Sequence, residues 1–406
     1  MKALVCLHDG FARALEPDPE GTLAPYVARR EIADPNPGPG QVVIDVEMAA
    51  VNPSDEMFVR GLYGLPRRAG RPAGFEGVGR VRESGGGWMG RAMVGRRVAF
   101  FADASGSWAD KALTGAVLCI PVGETMRAED AAGFLVNPFT AWALDELAAR
   151  SGSQGFVMSA AGSQLGKFLI QLAAQRGRRP IATVRRSEQI ESLQRLGAAA
   201  VLNEHDENFT EQLRDVLRRE KPRVFLDAVA GPPQARIHAM MGDGARWVVY
   251  GRLDPEPPTI KHPEQMIFQR KRVEGFWLSD WFASASLLQK ARAARAIRKR
   301  FERGEWRTDV AEVVPLDGAI ERMPLWIGFQ GARKTVVEAD QRFHTSGFMR
   351  ESSCVHHSTL PCDRRPRGRG LRDNPQSGGG VPLYLPFVHR AQRQGGRGAP
   401  CDRHEA

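Results

Sequence analysis

The chain opens on a short apolar run, MKALVCL, cut off by His8-Asp9-Gly10, which suits a first strand. QVVIDVEMAAV at 41–51 alternates in part and follows the turn-rich PNPGPG, so it reads as a second strand. The stretch 52–79 is dense in Gly and Pro and reads mostly as loop, ending in GFEGVGRV. GRRVAFF at 95–101 reads as a further strand. Short strands separated by turn signals about every ten residues predict a β-rich first segment.

The period changes near Arg127. AEDAAGFLVNPFTAWALDELAAR carries helical spacing, and strand and helix patterns then alternate. Strands fall at 155–160, 181–184, 200–203, 224–229 and 246–251; helices fall at 164–177, 188–197 and 209–219. In 164–177, Leu165, Phe168, Leu169, Leu172 and Ala173 share one face. This alternation predicts an α/β class: a doubly wound parallel sheet of the dinucleotide type, set after a β-rich part. LLQKARAARAIRKRFERGEW (287–306) reads as a basic helix on a solvated surface rather than a nucleic-acid reader, since no aromatic residues interleave along it. GARKTVVEAD (331–340) reads as a closing strand. No repeat with a period of about 20–50 residues is present.

Composition narrows the classes. The chain has 406 residues, 42% hydrophobic and 26% charged, which excludes disorder throughout and suggests two or three domains. It has no run of 18 apolar residues, so a membrane-spanning helix is not expected. The start, Met1–Gly10, lacks a secretory apolar region, and a cytoplasmic location is expected. The five cysteines are scattered, which argues against a disulfide framework. The net charge of +10 suggests nucleic acid, but its distribution does not: 341–406 holds 11 Arg, no Lys and 5 acidic residues, a net of +6, against +4 for 1–340. That tail reads as a disordered basic extension. Its RGRG and GGRG fragments also suit an RNA-binding arm, and its lack of Lys suits frameshifted or read-through sequence. Cys354, His356, His357 and Cys362 cluster there without the second pair of ligands that a metal finger needs.

SAAGSQLG (159–166) sits where a strand turns into a helix. A dinucleotide needs small residues where backbone meets pyrophosphate, and a helix N-terminus to receive the anion. Ala160, Ala161, Gly162 and Ser163 are small, Gln164 and Leu165 open the helix, and Gly166 permits tight helix–strand packing. An ordinary strand–helix turn reads the same way. Nineteen residues on stand Arg185 and Arg186, where an Asp or Glu would suit NAD and an Arg suits the 2′-phosphate of NADP. Two surface arginines are the plain alternative; with the turn before them they predict NADPH. Tyr250 and Gly251 end a later strand of the same sheet and are placed against the cofactor.

In order along 1–340, MKALV, PGPGQVVIDVEMAAVNPSD, GFEGVGRV, GRRVAFF, VNPFTAW, SAAGSQLG and DAVAG resemble the medium-chain dehydrogenase/reductase superfamily. The resemblance implies a GroES-like catalytic domain from 1–127 and 267–340, a Rossmann NADPH-binding domain over 128–266, and an active site in the cleft, with 341–406 left as the tail. Zinc members place a Cys in the first loop and a His in a Gly-His-Glu. Here those places read Asn52-Pro53-Ser54-Asp55 and Gly74-Phe75-Glu76. Residues 1–340 hold only Cys6, Cys119, His8, His205, His238 and His262, in no ligand-like spacing, so zinc is not expected and neither is alcohol dehydrogenation.

The sequence is most similar to the zinc-free branch of quinone reductases and 2-enoyl-thioester reductases. NPSDEMFVRGLYG (52–64) resembles the loop that carries the enoyl reductases' catalytic Tyr, here Tyr63. RVEGFWLSDW (272–281) resembles their Gly-Phe-Trp-Leu-Ser segment, with Phe276 and Trp277 at the cofactor and substrate pocket. Two departures stand out: Ser163 where relatives have Gly, and Arg186 beside the usual Arg. The resemblance implies NADPH-dependent reduction of an activated C=C bond of a 2-enoyl thioester, Tyr63 donating to the developing oxyanion. Quinone reduction on the same scaffold is the alternative, and a non-catalytic NADPH- or RNA-binding protein a third. Asn137 is expected near the nicotinamide side or the loop 52–55, Trp281 in an aromatic wall, and Lys334 near the cofactor. Arg60, Arg67, Arg68 and Arg71 suggest a basic mouth for an acyl-CoA or acyl-carrier-protein substrate. No membrane or nucleic-acid partner is expected; a homodimer is, since relatives commonly form one.

Overall fold

The computed structural model describes residues 1–12, 22–103, 105–323 and 334–338; the tail, with its Cys and His cluster, lies outside them. β1 (Lys2–Cys6) pairs antiparallel with β2 (Val27–Glu31). β3 (Gln41–Val51) is therefore the third strand, not the second. The missed strand reads VARRE: only Val27 is buried, and its pairing with β1 rather than its own pattern makes it a strand.

The stretch expected as loop contains α1 (Pro53–Val59) and the start of β4 (Glu76–Ser84). Proline is tolerated at a helix's first position, because that N–H has no partner within the helix. The Asn52 N–H is taken instead by Asp55 Oδ2 at 2.7 Å, and Arg60 closes the helix by donating to buried Glu56 at 2.8 Å. α2 (Trp88–Met93), β5 (Arg97–Phe101), β6 (Lys111–Gly115) and β7 (Cys119–Pro121) complete the first β-rich part. The single helical run expected from 127 is two helices, α3 (Ala128–Ala132) and α4 (Val136–Ala149), separated at Gly133.

A second sheet follows from β8 (Gly155–Met158), α5 (Gln164–Gln175), β9 (Arg179–Val184), α6 (Ile190–Arg195), β10 (Ala200–Asn203), α7 (Phe209–Glu220), β11 (Val224–Asp227), α8 (Pro232–Met240), β12 (Arg246–Val249), α9 (Glu264–Phe268) and β13 (Arg272–Gly275). Its six strands are all parallel, in the order β10-β9-β8-β11-β12-β13. That is the doubly wound dinucleotide order, whose crevice opens beyond the carboxyl ends of the strands where the chain reverses direction between β8 and β11. The boundary expected at 266 falls too early, since β13 adds to this sheet beside β12.

α10 (Leu278–Ser284) and α11 (Leu287–Glu302) come next. The basic helix α11 is not solvated all round: Ala293, Ile297 and Phe301 recur every four residues and are buried on the side that meets α4. β14 (Val310–Pro315), α12 (Ala319–Arg322) and β15 (Lys334–Glu338) return the chain to the first sheet. β15 pairs antiparallel with β3, giving the order β14-β15-β3-β4-β5-β7, with β6 also on β3. Both ends of the described chain thus build the β-rich part. The largest core joins the parts through Phe134, Phe139, Trp142, Phe168 and Trp306. No helix among the described residues is long and apolar enough to cross a membrane.

Candidate active site

The turn after β8 has the features a pyrophosphate cradle requires. Ala160 takes a left-handed φ of +48°, a conformation costly for a residue with a Cβ. A Cβ on Gly162 would overlap the side-chain amide of Gln189, and one on Gly166 would overlap the Ala161 carbonyl. Ser163 caps α5 by accepting the Gly166 N–H at 3.1 Å. The first N–H groups of a helix lack intrahelical partners and face an incoming anion. Gln164 plays a different part from the one expected: its amide is committed to the Arg307 carbonyl (3.1 Å) and the Asp309 N–H (2.8 Å), fastening α5 to the returning chain. Leu165 packs against the main core.

Beneath the next turn lies Asp227, at the end of β11. Its carboxylate accepts from Ser159 Oγ (2.5 Å), the Val229 and Ala230 N–H groups (2.9 and 3.1 Å) and Trp247 Nε1 (2.8 Å). Burial raises its pKa, against the pull of these donors. Gly251 packs against this turn, since a Cβ there would sit 2.7 Å from the Ala228 carbonyl. The Tyr250 hydroxyl is buried without a hydrogen-bond partner among the described residues.

Arg185 Nη2 contacts Asp254 Oδ2 at 3.3 Å, whereas Arg186 has no carboxylate partner among the described residues. Glu204, half-buried and raised in pKa by its partial desolvation, accepts from Thr183 Oγ1 at 2.6 Å and from Gln234 Nε2 at 3.2 Å. Neither Gln189, Asp227, Glu204 nor Asp254 was expected at the site. Asp227 stood in the quoted DAVAG, but nothing local marked its role; the others pair with residues far away in the chain.

Tyr63, Phe75 and Trp277 meet in one aromatic cluster. The Tyr63 ring lies 5.0 Å from Phe75 and 5.8 Å, edge-on, from Trp277. Trp277 Nε1 donates to the Tyr63 hydroxyl oxygen at 2.8 Å, and a Cβ on Gly64 would sit 3.3 Å from the Trp277 ring. Burial raises the Tyr63 pKa, the Trp277 bond opposes this, and Asp55 adds to the rise. Phe75 is held in turn: its N–H donates to Asp55 Oδ1 at 2.8 Å.

Behind the cluster, buried Glu76 accepts from Asn52 Nδ2 (3.0 Å) and from the Leu135 and Val136 N–H groups (3.0 and 2.9 Å). Asn137 Nδ2 donates to Asn52 Oδ1 at 3.4 Å, which puts Asn137 against the first loop. Trp281 packs on Phe139 and Phe282 rather than beside Trp277. Phe276 packs against the same core. Of the four arginines expected at a basic mouth, Arg68 and Arg71 are exposed, whereas Arg60 is buried on Glu56, and buried Arg67 donates to the Gly10 and Val59 carbonyls. The Lys334 side chain lies outside the described residues.

A model described as the alcohol dehydrogenase GroES-like domain matches residues 38–124, and one described as zinc-binding dehydrogenase matches 165–292. A solved structure from Mesorhizobium loti, provisionally described as an NADPH:quinone reductase, is 44% identical with a TM-score of 0.78, covering 83% of this chain and 98% of that one. The chain belongs to the medium-chain dehydrogenase/reductase superfamily. The bovine mitochondrial enoyl-[acyl-carrier-protein] reductase is 28% identical over 309 residues, 75% of this chain and 82% of that protein. The Escherichia coli quinone oxidoreductase, solved with NADPH, shares the fold at a TM-score of 0.70 and 18% identity, covering 83% of this chain and 100% of that one.

In this superfamily member, the residues that the resemblance sets opposite zinc ligands have other partners. Asn52 is bonded to Glu76 and Asn137, and Phe75 stacks on Tyr63. Among the described residues no group of three or more His, Cys, Asp or Glu side chains is placed to hold a metal. Cys6 and Cys119 are buried thiols, pushed up to about 11 and about 12 by that burial.

Proposed function

We propose that the chain is an NADPH-dependent, zinc-independent reductase of an activated carbon–carbon double bond, that of a 2-enoyl thioester. The observation that carries this reading is the bond from Trp277 Nε1 to the Tyr63 oxygen. An indole N–H only donates, so the tyrosine oxygen serves as acceptor there. Its own proton has no acceptor among the described residues and is left to donate elsewhere. The raised pKa keeps that proton in place at neutral pH.

The turn Ala160–Ser163, the start of α5 and the arginines after β9 suit a phosphorylated dinucleotide: two glycines without room for a Cβ, a capped helix N-terminus and cationic side chains. When bound, NADPH supplies a hydride to the β-carbon of the substrate. Negative charge would then grow on the thioester oxygen, to which the Tyr63 hydroxyl would donate, and a proton passed from Tyr63 or water to the α-carbon would complete the reduction. One such preorganised donor is worth about 10²-fold in turnover. Phe75 and Trp277 fix the phenol ring and exclude water around it. The bovine relative, named for enoyl reduction, supports the substrate class.

The Mesorhizobium relative supports a second reading, quinone reduction, in which the same aromatic cluster serves as a flat pocket wall. NADPH oxidation with crotonyl-CoA and with 1,4-benzoquinone, in wild type and Tyr63→Phe, separates the two. Enoyl-CoA turnover that falls about 10²-fold in the variant, with NADPH affinity unchanged, is the expected result. Turnover of quinone alone, indifferent to the variant, would replace the first reading by the second.

A further inference from the structure

α11 carries six cations, Lys290, Arg292, Arg295, Arg298, Lys299 and Arg300, against one carboxylate, Glu302. Arg298 and Arg300 turn back onto the molecule. Arg298 donates to the Pro121 carbonyl at 2.7 Å, and Arg300 to the Gln175 side chain at 3.1 Å while lying over the Trp306 ring. Arg292, Arg295 and Lys299 do the opposite. At i, i+3 and i+7 they share the face turned away from buried Ala293, Ile297 and Phe301, and all three are exposed. Among the described residues none of the three has a carboxylate partner; the ion pair just past the helix end joins Arg303 to Glu305. Leu288 heads the same stripe, four residues before Arg292, and Leu287 adjoins it; they are 78% and 82% exposed. Like charges at this spacing repel one another. An acidic surface seated on the stripe would relieve that repulsion and cover the leucines.

Chain length ties the stripe to the proposed chemistry. Trp277 stands at the start of α10, and α11 begins at Leu287. A short helix and a turn keep Leu287 within about 25 Å of Trp277. Along the chain the leucines lie between Trp277 and the exposed cations.

We infer that this face of α11 docks an acidic helix of a carrier protein, one that presents the acyl group as a thioester on a long flexible arm. The inference rests on the enoyl-thioester reading above and names the form in which that substrate arrives. Arg292, Arg295 and Lys299 follow the spacing at which carboxylates repeat along a facing helix. Leu287 and Leu288 receive an apolar side chain of the partner. A folded acidic protein suits this face better than RNA, whose bases would stack on aromatic side chains, because the exposed stripe carries none.

The test compares two thioesters of one acyl group: crotonyl-CoA, and crotonyl borne by an acyl carrier protein. The variant combines Arg292→Glu, Arg295→Glu and Lys299→Glu, which touch neither the core nor the proposed site. Its KM for the carrier-borne substrate should rise about tenfold or more, while kcat, the KM for crotonyl-CoA and NADPH affinity stay within about twofold. A second variant, Arg292→Lys with Arg295→Lys and Lys299→Arg, keeps the charges and should keep the wild-type KM. Added salt should weaken carrier binding to wild type far more than to the reversed variant. Carrier-borne substrate handled alike by wild type and the reversed variant would overturn the inference. So would a reversed variant that changes oligomeric state by light scattering, or loses retention of single-stranded RNA, with carrier binding intact; those results give the face to a second copy of the chain or to nucleic acid. Wild type that turns over neither thioester removes the enoyl reading instead. Fluorescence anisotropy of the labelled carrier protein then still decides the face: binding to wild type that the reversed variant loses supports docking, and no binding refutes it.

Discussion

The indole nitrogen of Trp277 lies 2.8 Å from the phenolic oxygen of Tyr63, across 214 residues of chain. The loop after α1 brings the tyrosine from the β-rich part, and the turn after β13, at the edge of the parallel sheet, brings the tryptophan. The bond therefore ties the two parts of the molecule together at the place where chemistry is proposed. It also sets the direction of proton donation, because Trp277 can only give.

Trp277→Phe keeps an aromatic ring against Gly64 but removes the donor. The Tyr63 hydroxyl then loses the contact that lowers its pKa, and its proton is no longer aimed. Turnover should fall about tenfold, the worth of one hydrogen bond in positioning. The alkaline limb of the kcat profile should move to higher pH, a change that a purely packing role would not produce. A profile that falls in height without moving would argue against the positioning role.

Tyr63 and Tyr250 are both held neutral beyond the ordinary tyrosine value of 10.0, Tyr250 by desolvation of its buried hydroxyl with Asp227 nearby. The unfolded chain ionises its tyrosines near pH ~10. The stabilising contribution of the two buried phenols is thus complete below that pH and is lost as pH rises through their higher folded values. Urea midpoints should decline from about pH 10 upward. The tyrosinate absorbance of native protein should lag behind that of protein in urea. Superimposable titrations would show that neither phenol is sequestered.

The two glycines of the cradle should respond differently to alanine. At Gly162 the new methyl meets the far end of the Gln189 side chain, which can swing away; at Gly166 it meets the Ala161 backbone carbonyl, which cannot. Gly166→Ala should therefore cost about 1–3 kcal/mol of stability, as overpacking does, and Gly162→Ala under about 1 kcal/mol. Denaturant unfolding of the two variants measures this directly. Equal losses would mean that the turn itself is more yielding than its contacts indicate.

Much of the architecture can be read along the chain. From 155 to 251 the alternation of apolar strands with amphipathic helices located five strands of the parallel sheet to within a few residues. Local signals failed where a partner supplied what the pattern lacked. VARRE becomes β2 because β1 offers it a ladder, and Pro53 opens α1 because Asp55 takes the Asn52 N–H. Arg60 and Arg67 were read as a basic mouth because sequence gives their charge but not their burial. Both are buried on acceptors of their own.

By itself, the sequence determined the α/β class, the place of the strand–turn–helix at Ala160–Gly166, and the residue types available to a reductase, with Phe75 where the resemblance to zinc members would set a histidine. These follow from periodicity and side-chain chemistry, which are properties of neighbouring residues. The tertiary structure decided which distant groups share those sites: Trp277 with Tyr63, Asp254 with Arg185, Glu76 with Asn52 and the start of α4. Buried polar groups must find partners wherever packing brings them, and no spacing along the chain specifies which partner that will be.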